Sequence, residues 1–293
     1  MRTLDQSHRA LVERVGGDVA EGLRVLPHSL GVSPHSPGSF SDFARLEPMV
    51  DLPGLVALSG VSDLTLDWFR YAHHVGGFLG LTLDRLADGQ TRRRDLAPEV
   101  AALEAEWVRA LSSATGDRSR SEALAREVLA DLQRGLAMES VAFVRGDLDL
   151  ERYGEIVWLK TRWLALPSRM MLEGADVEGT EELAAFDEAY RWLMLSLQVA
   201  DDGADAEQDR ARMGRSVPEL LKIHPSTLLA CAAPITRRAA EAARGHPRLR
   251  AWCEARAVEV EAAFRVERRR TMAAGLVVMG LSAAVDARRG RRP

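Results

Sequence analysis

Asp201, Asp202 and Asp205, with Asp209 shortly after, follow directly on the apolar run from Trp192 to Ala200. In a helix, Asp201 and Asp205 share one face, one turn apart. Like charges held that close repel each other unless a cation sits between them. Hard divalent cations that take oxygen ligands, Mg²⁺ above all, suit such a pair. Taken alone, the acidic run also fits a plain solvated helix end.

A second stretch repeats the pattern. Asp84 and Asp88 follow the apolar residues Phe78 to Leu83 and are again one helical turn apart, with Arg92, Arg93 and Arg94 after them. Lys160 stands inside the apolar segment Ile156 to Leu164, where a lysine either snorkels to the surface or serves a buried anion. Arg215 and Lys222 follow the later acidic run. Paired carboxylates with separated cations suit a polyanion held through bridging metals. A diphosphate fits, with carboxylates on the metals and Lys or Arg on the phosphate oxygens.

The elements that must position these groups read as helices. Leu, Ala, Arg and Glu dominate, and strand-length β-branched alternation is almost absent. Gly and Pro break the pattern at 31–41, 112–121 and 173–180, and again after Asp209. Long helices or helix pairs are expected over 55–86, 122–144, 151–172, 181–200 and 246–285. The expectation is an all-α protein: one helical bundle over residues 1–286 and a basic, solvated tail over 287–293. Two acidic helix ends facing each other would give such a bundle a carboxylate-lined mouth.

Composition narrows the classes. The 293 residues carry a net charge of −4, which argues against a dedicated nucleic-acid binder. Cys231 and Cys253 are too few for a disulfide framework or a thiolate metal site. The first residues lack a signal-like apolar core, and 272–285 is too short and too rich in Ala and Gly to span a bilayer. A cytoplasmic protein with no integral membrane segment is expected. His73 and His74 read as packing or partner contacts, and Glu139 and Ser140 are given no role.

On these residues the chain resembles the trans-isoprenyl diphosphate synthases and the class I terpene cyclases that share their fold. Asp84-Arg-Leu-Ala-Asp88 with Arg93-Arg94 resembles the first aspartate-rich motif and its arginine pair. Tyr153 to Lys160-Thr161 resembles the mid-chain Tyr…Lys-Thr segment. Gln198-Val-Ala-Asp201-Asp202-Gly-Ala-Asp205 resembles the second motif, and Asp209…Gly214-Arg215 the loop over diphosphate. The resemblance implies an isoprenoid-synthase-type bundle with a central apolar cavity, three Mg²⁺ ions, a linear prenyl diphosphate substrate and a homodimer. It places metals on Asp84, Asp88, Asp201 and Asp205. Diphosphate falls to Arg93, Arg94, Lys160, Gln198, Arg215 and Lys222, and Asp84, Asp88, Lys160, Asp201 and Arg215 carry catalysis. Phe69, Phe78, Gly80, Trp158, Thr161 and Trp192 would line the cavity, with Trp163 another aromatic candidate.

Departures from the family pattern direct the choice of reaction. Arg85 replaces the middle carboxylate of the first motif, and Arg215 stands where lysine is usual. In chain-elongating members a Gly-Gly-Lys-Arg-x-Arg-Pro segment grips isopentenyl diphosphate. The matching stretch here keeps Arg45 and Pro48 but has Ala44 for Lys and Glu47 for Arg. A carboxylate in a diphosphate site repels the ligand. The resemblance therefore implies a cyclase acting on farnesyl or geranylgeranyl diphosphate. Its rivals are a chain elongase with an atypical second site, a prenyl transferase to another acceptor, and a non-catalytic synthase-like subunit.

Overall fold

The computed structural model describes residues 3–32, 39–40, 61–93, 95–174, 180–263, 277–278 and 281. Among them every regular element is a helix and none is a strand. Packing sorts the chain into two compact units, one of residues 1–130 and 163–177, the other of 131–162 and 178–293. The sequence reading draws a single domain over 1–286.

The first unit begins with α1 (Leu4–Val15), α2 (Gly17–Arg24) and the short α3 (Leu26–Ser29). Thr3 and Gln6 form a reciprocal capping box at the start of α1, which satisfies two otherwise orphaned amides. Next comes α4 (Asp63–Ala87), opened by Ser62, whose side chain accepts from the Thr65 amide. From Phe69 to Gly80 this helix is buried on every side, as its apolar surround in the sequence demands. It packs on α5 (Ala97–Thr115), which starts beside Pro98 and stops at the left-handed Gly116. Both are strong boundary signals, yet the sequence reading did not single out α5, nor α1 to α3.

Polar and aromatic contacts lock α4 in place. Ser7 Oγ lies 2.7 Å from His74 Nδ1, and the Phe78 ring stacks on Phe40 with centroids 4.1 Å apart. Tyr71 donates to the buried Glu106 carboxylate at 2.5 Å, and Arg109 pairs with the same group. Two glycines of α4 take in aromatic rings. A Cβ at Gly76 would lie 2.9 Å from the Trp107 indole nitrogen, and one at Gly80 would fall 2.0 Å from the Trp163 ring. These glycines serve close packing.

Two long helices, α6 (Arg118–Arg145) and α7 (Leu150–Gly174), run from one unit into the other along the chain. The second unit holds the last part of α6, the first part of α7, and α8 (Thr180–Ala204). It continues with α9 (Ala206–Met213), α10 (Val217–Leu220), α11 (Pro225–Ala230), α12 (Ala232–Ala242) and α13 (Pro247–Ala263). The core of this unit forms where α8 packs on α11 and α12, burying Phe186, Tyr190, Leu193, Leu228 and Ile235. Burying each such side chain is worth about 1.5–3 kcal/mol. At Gly203 a Cβ would meet the Leu229 backbone nitrogen at 2.9 Å, so glycine is what lets α11 come this close to the end of α8.

No described helix is long and apolar enough to cross a membrane.

Candidate functional site

In the first unit the predicted site residues gather at the C-terminal end of α4. Asp84 lies in the last turn and Asp88 is the C-cap, followed by Gly89 at φ +65°. The Gln90 amide reaches back to the Arg85 carbonyl at 2.9 Å and closes the turn. Both carboxylates are half-buried, and both stand at the negative end of the helix dipole, where anions are destabilised. Arg85 is the basic residue of that turn, but its guanidinium donates to the Leu30 carbonyl at 2.6 Å. It caps the carbonyl end of α3, which explains a cation in the middle of an acidic motif.

Arg93, expected on diphosphate, donates to Glu99 at 2.7 Å and neutralises a carboxylate that is 3 % exposed. Arg94 lies outside the described residues, as do Ala44, Arg45, Glu47 and Pro48 and the 287–293 tail. Phe69 and Phe78 are buried in the core of this unit. Gly80 is filled by the Trp163 ring. His73 is 1 % exposed. Burial, with His74 and Arg70 adding to it, holds its imidazole well below the usual histidine range.

In the second unit the end of α8 carries a denser group. Asp201 is exposed while its neighbour Asp202 is only 7 % exposed, since successive helical positions point about 100° apart. Tyr153 on α7 donates to Asp202 Oδ2 at 2.6 Å, and Gln198 donates to Oδ1 at 2.9 Å. Burial pushes the Asp202 carboxyl up to about 7, against the pull of these two donors. Gln198, expected on diphosphate, is thus engaged with Asp202. Asp205 is exposed and opens α9 without capping it through its side chain. No basic residue occupies the last turn of α8.

Cations lie in the same unit. Lys160 Nζ lies 2.7 Å from Glu139 Oε2 on α6, with the two side chains 12 % and 21 % exposed. Its charge also favours the ionised form of Asp209, whose carboxyl burial otherwise raises. Arg215 packs its guanidinium over Gly146, where φ is +74° and a Cβ would lie inside van der Waals contact. Lys222 is exposed and adopts a left-handed φ of 56°. Thr161 donates to the Val157 carbonyl, Trp192 is buried, and Arg191 lies 4.7 Å over the Trp158 ring. A cleft of about 440 Å³ between α12 and α13 is lined by Arg237, Arg244, Arg250, Glu241 and Glu254, and by none of the residues expected to line a cavity.

Sequence reasoning missed Glu139 and the buried role of Asp202. Helical phase carried a signal for the second, because Asp202 lies seven residues after the buried Leu195, on the same face. Among the described residues no three His, Cys, Asp or Glu side chains form a ready metal cage. Each carboxylate pair supplies two oxygen donors, which is what Mg²⁺ takes from protein when substrate phosphates and waters complete its shell.

No protein-family model, curated protein or solved structure matches the chain. Fold and side chains define an all-helical protein with two acidic helix ends. In the second unit the acidic end is accompanied by a partly buried lysine and an arginine seated on a glycine.

Proposed function

We propose that this chain is a Mg²⁺-dependent class I terpene cyclase acting on a linear prenyl diphosphate, farnesyl or geranylgeranyl. One observation carries the reading: the carboxylates ending α8 stand against their own helix dipole with no basic residue in that turn, in the unit that also holds Lys160 and Arg215. A negative helix end whose last turn carries carboxylates and no basic residue favours a cation. The separated Lys160 and Arg215 answer the charge of a phosphate ester.

In the second unit Asp201 and Asp205 would hold Mg²⁺, which would supply Lewis-acid neutralisation of diphosphate oxygens. Lys160 and Arg215 take up the charge that grows on the leaving group as the allylic C–O bond breaks heterolytically and the electron pair departs with pyrophosphate. Tyr153 and Gln198 hold Asp202 inward, and this fixes the phase in which α8 presents Asp201 outward. The allylic cation closes a ring and then loses a proton to give a hydrocarbon, or takes up water to give an alcohol.

Thermal melting with pyrophosphate and Mg²⁺ tests the anion site directly. A ligand that binds only the folded protein at a hundred times its Kd adds about 2.7 kcal/mol and raises Tm. We expect a shift with both present, reduced in Lys160→Gln and in Asp201→Asn. No shift at millimolar concentrations would overturn the reading and favour a non-catalytic subunit.

A further inference from the structure

Glu139, given no role by the sequence, is built into the second unit as the partner of Lys160. Gly135 lies one turn before it on the same face of α6, and a Cβ there would stand 3.0 Å from Lys160 Cγ and 3.0 Å from Leu159 Cβ. The bare glycine lets α7 lie close against α6, so the lysine stem runs along the helix. The ammonium arrives at Glu139, one turn further on, at 2.7 Å. The pair is largely sheltered from water, where charge interactions are screened less than at the surface.

We propose that Glu139 is the internal exchange partner of Lys160, displaced when a diphosphate binds and returning to the ammonium as pyrophosphate leaves. The proposal rests on the reading that Lys160 binds the diphosphate. Without an anion, Glu139 holds the mostly buried Lys160 ammonium in place. An arriving diphosphate must take the ammonium from a carboxylate already in contact, and it also feels that carboxylate's repulsion. Both effects weaken binding, and after C–O cleavage both favour release of the inorganic product. Glu139 is a positioning residue, acting through Lys160, and it sets how tightly the site retains pyrophosphate.

Calorimetric titration of the full chain with pyrophosphate, with and without Mg²⁺, tests this through Glu139→Gln, which keeps the shape and removes the charge. Loss of one like charge beside a multiply charged anion is expected to tighten binding about tenfold or more. Glu139→Asp, which keeps the charge, is expected to stay within about twofold of wild type. The gain in Glu139→Gln should shrink when Lys160 is also replaced by Gln. In turnover, Glu139→Gln should show stronger inhibition by pyrophosphate and a lower kcat with KM unchanged or lower. Glu139→Met removes the same charge and serves if the glutamine variant does not fold. Wild type that binds pyrophosphate while neither neutral variant binds it more tightly overturns the proposal. Wild type that binds none overturns the assignment of Lys160 beneath it.

Discussion

Replacing Tyr153 by phenylalanine removes one hydroxyl and leaves the buried Asp202 carboxyl with Gln198 as its remaining donor. The hydrogen bond is 2.6 Å long, and its acceptor is a carboxyl pushed up to about 7 by burial. At pH 5 that carboxyl is mostly protonated, so the lost bond is neutral and costs about 1 kcal/mol. At pH 8.5 it is mostly ionised, and losing a hydrogen bond to a buried charge costs about 1.5–3 kcal/mol. Linkage gives the same sign. The folded protein holds this proton between the ordinary value of 3.8 and about 7, so the stability from Asp202 is complete below about pH 4 and is lost as pH rises through 7. The Tyr153 donor lowers the Asp202 pKa, and removing it raises the folded pKa and deepens the alkaline loss. Urea unfolding of Tyr153→Phe and wild type at pH 5 and pH 8.5 measures both costs. We expect the difference in unfolding free energy to grow by about 0.5–2 kcal/mol between the two pH values. An equal difference at both, or one below about 0.5 kcal/mol at pH 8.5, refutes the assignment of Tyr153 as the support of a buried titrating carboxyl.

Other substitutions separate packing from chemistry. Gly80→Ala drives a methyl group into the Trp163 ring and should lower stability by about 1–3 kcal/mol in denaturant titration. Arg85→Met should cost about 1–2 kcal/mol through the lost bond to Leu30 while leaving the pyrophosphate Kd unchanged; a weakened Kd would place Arg85 on the ligand instead. Arg93→Met leaves Glu99 buried without its cation and should cost about 1–3 kcal/mol, the exposed side of the pair limiting the loss.

Helix periodicity revealed most of the long elements, because apolar faces at 3.6-residue spacing leave a clear pattern. The breaks expected at 112–121 and 173–180 match the ends of α5 and α7, at Thr115 and Gly174, and the starts of α6 and α8, at Arg118 and Thr180. The paired aspartates were legible for the same reason: spacing of four puts both on one face. What lay hidden was partnership across helices. Lys160 and Glu139 are 21 residues apart, and Arg85 reaches 55 residues back to Leu30. No local pattern states where a long side chain ends. A glycine makes room for a ligand or for a neighbouring side chain alike, and the sequence around Gly80 does not say which. Trp107 and Trp163 fill the space at Gly76 and Gly80.

The most direct measurement is incubation of the purified chain with geranyl, farnesyl and geranylgeranyl diphosphate and Mg²⁺, each with and without isopentenyl diphosphate. Pyrophosphate release is followed while products are read by mass spectrometry. We expect release together with a cyclic hydrocarbon or alcohol from farnesyl or geranylgeranyl diphosphate in the absence of isopentenyl diphosphate. Longer linear diphosphates formed only when isopentenyl diphosphate is present, or no release from any of the three, would contradict the cyclase assignment.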